Sequence, residues 1–432
     1  MSDHFIPYTL TAVAGLLLFA VSLRFRDLPL ILLFVMLPFP KPIGGETSAG
    51  NLCPADVMAL LALAALLVHQ PTLRFGPAGL PLLLFFIVCI TSSILNPTAF
   101  PWLALVRMVL ATGIASLLFA GPHLKLATFH RCMVAYLIGC GVLAGLSVIT
   151  FLTSGIRASM STLDLNKNAL GPIFGCGVVV AMAYRLVYPL ERKARMQVTF
   201  CLIACVIGQT LTLSRGSWIA TAGALLLLLL LTGRIQTFVL GLILTVPLIF
   251  AIWSVLPEEA AEYATNVSSD AYVIRTRLDA IDIALNVFQH NPIFGVGLGL
   301  RRIVEPHNVL ISTLGETGVV GLAGFLGICI SAGYTFWRAA GATKGDARSS
   351  ALVFAGAAVF FVSTVHGLMD VYWRRGVGFM GWACVGMAVH LIQRARTVPR
   401  KTTQAAAGDK VIPPVRRPAV RLGTSHARPP FA

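Results

Sequence analysis

The sequence predicts an all-α, polytopic integral membrane protein with about 12 or 13 transmembrane helices, and three observations carry that prediction. The 432-residue chain is 57% hydrophobic and only 12% charged, where a soluble enzyme of this size carries about 25% charged residues. Its mean hydropathy is +0.83. Runs such as "LLLFAVSL", "LALAALLV" and "ALLLLLLL" recur along the chain, within stretches near the roughly 20 apolar residues that span a bilayer as a helix. Strands of a membrane barrel would alternate polar and apolar residues, and these runs do not.

Taken in order, the apolar spans fall near 8–23, 28–43, 53–69, 78–95, 101–120, 132–153, 169–188, 197–213, 217–232, 235–256, 317–337, 350–369 and 376–393. The second is short and Pro-rich. The loops "RFRD", "HQPTLRFG", "HLKLATFHR", "ERKARMQ", "GRIQ" and "WRAAGATKGDARSS" are short, basic and all on one side of this layout. An excess of Lys and Arg in short loops marks the cytoplasmic side. The other loops then face outward: "GGETSAGN", "SGIRASMSTLDLNKN", the "SRG" turn at 214–216, the long loop 257–306 and "DVYWRRG" at 370–376. Residues 1–393 therefore read as one transmembrane domain containing the external loop 257–306. No internal repeat is visible, which argues against an inverted-repeat transporter.

The formal charge of +16 is concentrated at the C-terminus. Residues 394–432 hold Arg394, Arg396, Arg400, Lys401, Lys410, Arg416, Arg417, Arg421 and Arg428 against the single acid Asp409. This segment is rich in Pro and Ala and reads as a disordered basic tail on the cytoplasmic side. Its partner is anionic lipid and not nucleic acid. The nine cysteines sit mostly inside apolar runs, with no CxxC pair and no histidine at ligand spacing. They indicate neither a disulfide scaffold nor a metal site, and no cofactor is expected. The N-terminus lacks a basic n-region and a small-residue cleavage site, so it reads as a retained anchor.

Against the charge rule, the outward face carries Arg157, Arg215, Arg275, Arg277, Arg301, Arg302, Arg374 and Arg375. Arg215 lies at the mouth of two spans. It reads either as an interfacial arginine bound to a lipid phosphate or as a clamp whose planar fork fits a diphosphate. In the long loop, Ile274, Leu278, Ile281, Leu285 and Phe288 repeat as one stripe of an amphipathic helix ending near "HNPIFG". Such a helix lies on the membrane-facing surface of the bundle. Arg275 projects off the stripe over Asp279, at the spacing of an i,i+4 surface pair. Arg277 sits at the stripe's edge, about 60° from its centre at 100° per residue, and points toward the bundle.

The segment "EPHNVLISTLGETGVVGLAGF" at 305–325 opens a span with an imidazole and carries a carboxylate. From His307 to Trp337 is 31 residues, roughly 46 Å of helix against a hydrocarbon core of about 30 Å. A short piece broken around "GET" and a span from about 317 fit better than one straight helix. Pro306 opens the segment and places His307 in the first turn. A helix N-terminus favours anions and keeps an imidazole neutral, so His307 reads as a proton acceptor or as a structural histidine bonded to a loop carbonyl. Glu316 is about 180° around an ideal helix from His307, so it need not act with it, and a bond to a neighbouring helix is an equal reading. Gly315, Gly318, Gly321, Gly324 and Gly327 form a smooth face for close packing. "FGVGLGLRR" at 294–302 reads as a plain glycine-rich turn.

Four stretches, in order around one long external loop, resemble the O-antigen ligase and Wzy-type polymerase superfamily: "NKNALG" at 166–171, "SRG" at 214–216, "RLDAIDIALNVFQHNPIFGVGLG" at 277–299, and "HN" at 307–308 followed by "GVVG". The resemblance covers about residues 160 to 330. Where the family often carries Trp, this chain has Ile281, a change that bears on packing. The resemblance implies a GT-C-like membrane glycosyltransferase, metal-independent and inverting, in a bacterial inner membrane with its active site facing the periplasm. It would move a glycan from an undecaprenyl-diphosphate carrier to an acceptor hydroxyl. Lipid A–core is the first expectation for the acceptor, and a growing glycan is the alternative. Carried over residue by residue, Arg215 and Arg277 hold the diphosphate and His307 serves the acceptor hydroxyl. Asn168, Asn308, Arg301, Asp370, Arg374 and Arg375 are secondary candidates on the same face. A transporter or lipid flippase is the rival from another class. It requires ionisable groups near the midplane of several spans, and here only Arg107 and His366 approach that placement.

Overall fold

The computed structural model describes residues 20–22, 24–25, 27–41, 53–69, 76–96, 101–234, 236, 271–300, 304–370 and 376–397. The spans expected near 8–23 and 235–256, the first part of the long loop, and the tail beyond 397 lie outside the described residues. All described secondary structure is helical: α1 Leu28–Met36, α2 Pro54–His69, α3 Gly79–Leu95, α4 Pro101–Met108, α5 Ala115–Ala120, α6 Leu126–Ser159, α7 Lys167–Val187, α8 Arg192–Leu211, α9 Arg215–Leu231, α10 Ala271–His290, α11 Val309–Ala342, α12 Ala347–Gly367 and α13 Val377–Thr397. Among them α6, α7, α8, α11 and α12 are each long and apolar enough to cross a membrane, and four further apolar helices are shorter. The protein is an all-α, multi-pass membrane protein.

Helix α7 is the core. It packs against α8, α9 and α12, and its residues from Ala169 to Ala181 are buried without interruption. Glycines set how closely its neighbours approach. A Cβ on Gly171 would meet Ser217 Oγ at 2.4 Å, and one on Gly177 would meet Cys205 Sγ at 2.6 Å. Gly175 likewise leaves no room against Thr221. Gly171 and Gly175 on α7 thus face Ser217 and Thr221 on α9, small residues four apart meeting small residues four apart, which lets two backbones pack closely without lipid between them.

Two departures from straight spans stand out. The stretch expected as one helix over 101–120 contains a π-helical segment, Val109–Ile114, just after the buried Arg107. In α11 the break expected around "GET" falls at Gly318, with φ +65. The chain inserts the 291–297 turn there. Val319 N–H donates to Pro292 O at 2.9 Å and Val320 N–H to Ile293 O at 3.4 Å, while Val296 and Gly297 N–H donate to Gly315 O and Glu316 O at 3.1 and 2.9 Å. Both donors and both acceptors released by the kink are therefore satisfied, as a backbone in an apolar interior requires. The expected smooth glycine face is only partly used. Gly315 meets α10, Gly318 meets the turn and Gly324 meets Phe85, but Gly327 has nothing within 4 Å.

The loops fall at two ends of the bundle as the alternation of spans requires. At one end Ser159 Oγ approaches Leu211 O, Ser214 Oγ approaches Asn168 Oδ1, and Asn308 Nδ2 donates to Leu368 O. At the other, His390 Nδ1 lies 2.8 Å from Gly121 O, and Asp346 caps α12 through Arg348 N–H. Partial burial raises the Asp346 carboxyl, but hydrogen bonds from Ser349 and Arg348 together hold it below its ordinary pKa.

Candidate active site

Among the helices that begin at the first end, α7, α9 and α11 each follow a residue suited to precede a helix. Asn166 caps α7 by accepting from Ala169 N–H at 2.8 Å. Ser214 stands at the N-cap of α9, placing Arg215 as its first residue. Asn308 caps α11, its Oδ1 accepting from Leu310 and Ile311 N–H at 2.9 and 3.2 Å. The Asn166 and Asn308 side chains take up backbone donors that have no partner within the helix, whereas Ser214 spends its hydroxyl on Asn168. Their common consequence is that three positive helix ends face one region.

Ser214 Oγ lies 3.3 Å from Asn168 Oδ1, so the turn bearing Arg215 is tied to the start of α7. His366, near the end of α12, places Nε2 2.9 Å from Asn168 O. Asn308 Nδ2 donates to Leu368 O at 2.9 Å, joining the start of α11 to the end of α12. Asp370 follows two residues later, and its Oδ1 lies 3.5 Å from His307 Nδ1. The side chains are 31% and 12% exposed, so the imidazole is reachable while the carboxylate is largely enclosed. At that separation His307 Nδ1 makes no hydrogen bond and is itself shielded from solvent. The two groups are within a small rotation of bonding, and such contacts often tighten only around substrate.

The local backbone of His307 differs from the sequence expectation. His307 precedes the helix, and Asn308, not Pro306, supplies the cap. His307 has φ +49, in the left-handed region that a non-glycine side chain seldom adopts. In that conformation its Nδ1 faces Asp370 Oδ1. Glu316, as expected, has no part with His307. It is fully buried, and its Oε1 accepts from Gly299 N–H at 2.9 Å while Ser92 Oγ donates to its backbone carbonyl at 2.7 Å. The glycine-rich turn is structural. A Cβ on Gly297 would fall 2.2 Å from Asn96 O, and one on Gly295 would collide with the backbone of Glu316.

Helix α10 packs on α11. Its buried edge is Ala280 and Ala284, whereas Ile274 and Leu278 of the predicted stripe are exposed. The smallest side chains set the contact because Ala284 O lies where a Cβ on Gly315 would meet it at 3.4 Å. Half-buried Arg277 lies on the inward side, with Nε enclosed and unbonded. Arg275 and Asp279 are both exposed, and the ion pair expected between them is not formed. Ala284 O lies against Gly315, and beyond the end of α10 Pro292 O accepts from Val319 N–H. Arg277 and Asn308 each lie seven residues before the contact Ala284–Gly315, about 10 Å of helix rise.

His307, Asn308, Asp370, Asn168 and Arg215 are thus brought to one end of the bundle. Arg301, Arg374 and Arg375 lie outside the described residues. His366 was legible only as an ionisable residue inside a span. Its partnership with Asn168 needs the packing of α7 against α12, which no spacing in the sequence encodes.

A comparison with curated proteins finds no match to this chain. Residues 199–326 match the family model Wzy_C, described as O-antigen ligase. The matched segment runs from α8 into α11 and includes Arg215, Arg277, His307 and Asn308, while Asn168 and Asp370 flank it. Over that segment the chain is similar to the O-antigen ligase family, which supports the resemblance to the O-antigen ligase and Wzy-type polymerase superfamily.

Proposed function

We propose that this protein is a metal-independent, inverting glycosyltransferase that ligates an O-antigen glycan from undecaprenyl diphosphate onto lipid A–core at the periplasmic face of the inner membrane. The observation that carries this reading is the pairing of His307 with Asp370 at 3.5 Å where three helix N-termini meet beside Arg215. The acceptor oxygen attacks the anomeric carbon as the bond to the carrier's diphosphate oxygen breaks. The acceptor's proton passes to His307 Nε2, and undecaprenyl diphosphate leaves. Asp370, facing Nδ1, favours the tautomer that leaves Nε2 able to accept, and stabilises the imidazolium that results.

The leaving group gains negative charge, so fixed positive groups do most of the electrostatic work. Arg215 and Arg277 supply forked donors for the phosphates, and the starts of α7, α9 and α11 supply oriented N–H dipoles. One acceptor attack, with no carboxylate acting as nucleophile, gives inversion at the anomeric carbon. The periplasmic assignment rests on the basic loops gathered at the opposite end of the bundle.

The test is the lipid-linked glycan that accumulates in a deletion strain. Full-length chains left on the carrier support ligation. Single repeat units on the carrier place the protein among the polymerases, and an unchanged carrier pool removes the glycosyltransferase reading.

A further inference from the structure

Helix α7 contains a proline one turn inside its start. Pro172 has no backbone N–H, and it is the residue four beyond Asn168, whose carbonyl would accept that N–H in an ordinary α-helix. The carbonyl of Asn168 is instead met from another helix, by His366 Nε2 at 2.9 Å. His366 is 2% exposed, and its own carbonyl accepts from Asp370 N–H at 3.0 Å. On the other side, the side chain of Asn168 accepts from Ser214, the cap of the helix that begins with Arg215. Gly216 fits tightly against the same place, since a Cβ there would lie 3.0 Å from Met369 Sδ and 3.7 Å from His366 Nδ1.

We propose that His366 is a positioning residue for the transfer site, supplying through Nε2–H the hydrogen bond that Pro172 denies to Asn168 and so fixing the Arg215 turn relative to Asp370 and His307. This inference rests on the reading of the site given above. In an apolar interior a carbonyl without a donor is costly, so the bond has a strong reason to persist. It couples the two halves of the site: Asn168 and Ser214 hold the arginine, and the last turn of α12 holds the carboxylate. His366 touches neither reacting atom. Its Nε2–H is spent on a backbone carbonyl, so that nitrogen donates and takes no part in proton transfer.

The arrangement can be tested because the missing donor can be restored. Transfer by purified protein in one detergent is measured for wild type, His366→Ala, His366→Gln, Pro172→Ala and the double variant His366→Ala with Pro172→Ala. Hydrogen exchange at the amides of 214–218 is followed in parallel. His366→Ala should raise the donor KM by about tenfold, as a displaced clamp does, and should speed exchange at 214–218. His366→Gln keeps a donor near the position of Nε2 and should retain most activity, with the pH profile of wild type. The double variant should recover activity and slow exchange, because the alanine N–H now reaches Asn168 O from within α7. A double variant as impaired as His366→Ala overturns the proposal. So does loss in His366→Gln accompanied by loss of one limb of the pH profile, which would make His366 an acid or base. Wild type inactive on the lipid diphosphate, with exchange still following the predicted order, would defeat the glycosyltransferase reading and leave the strut intact.

Discussion

Asp370 Oδ1 stands 3.5 Å from His307 Nδ1, although the two are 63 positions apart in the chain, with the whole of helices α11 and α12 between them. The pair forms because α12 returns antiparallel to the end where α11 began, and because Asn308 bonds Leu368 O at that junction. His307→Ala should lower transfer by about 10² to 10⁴, the usual worth of general-base assistance, while donor binding stays near wild type. Asp370→Asn should cost less, since it removes orientation and charge but not the base. Parallel measurement of transfer and donor binding decides this. Normal transfer by His307→Ala would return the residue to a structural role, and lost donor binding would move it into the diphosphate clamp.

Arg215 begins α9 and is exposed, where a guanidinium can meet a ligand with two parallel donors. Arg215→Lys should be nearly as damaging as Arg215→Ala, because a bidentate phosphate contact depends on the planar fork and not on charge alone. Arg275→Ala should be mild: Arg275 is exposed on the outward side of α10, while Arg277 is half-buried. Transfer assays at matched expression test the series. A lysine variant with near-normal activity would leave Arg215 as an anchor to membrane lipid.

The orientation of the bundle can be read with single cysteines at its two ends. Ser161 is exposed at the end that carries His307, and Ala347 is exposed at the opposite end. In intact cells a membrane-impermeant thiol reagent should label Ser161→Cys and spare Ala347→Cys until the membrane is opened. The native cysteines are mostly buried, which keeps the background low. The reverse pattern would invert the topology and remove the periplasmic mechanism.

Hydropathy and loop charge made the helical class and the two ends of the bundle readable from the sequence, because both arise from local composition. The break in α11 was readable as well, since 31 residues from His307 to Trp337 are too many for one span and a glycine followed "GET". Its cause was not. Gly318 bends because Pro292 and Ile293 occupy the groove, a contact fixed only when α10 packs on α11. The hydrophobic stripe of α10 is only partly packed, with Ile281, Leu285 and Phe288 half-buried and Ile274 and Leu278 exposed. In a membrane the most apolar face can point to lipid, and the packed edge goes to small residues such as Ala280 and Ala284. Of the site, Arg215, Arg277 and His307 stood out as polar residues on an apolar outward face. His366 did not, because its importance lies in a proline four residues past its partner on another helix.

Asn308 offers the sharpest separation of stability from function. Its Oδ1 caps α11 and its Nδ2 tethers that helix to Leu368. Asn308→Ser keeps a good capping hydroxyl but is too short to reach Leu368 O. Asn308→Ala loses both. The alanine variant should therefore lose about 1 kcal/mol of stability from the cap, seen as a lower melting temperature in detergent. The serine variant should melt close to wild type. Both should lose transfer by a comparable factor, on the order of tenfold, because His307 sits one residue before the cap and its approach to Asp370 depends on the tether. Donor binding should be spared in both, as the turn bearing Arg215 is tied to α7 through Ser214 and Asn168. Serine activity equal to wild type would show that the cap alone positions His307. Loss of transfer that tracks melting temperature across the two variants would reduce Asn308 to a stabilising residue.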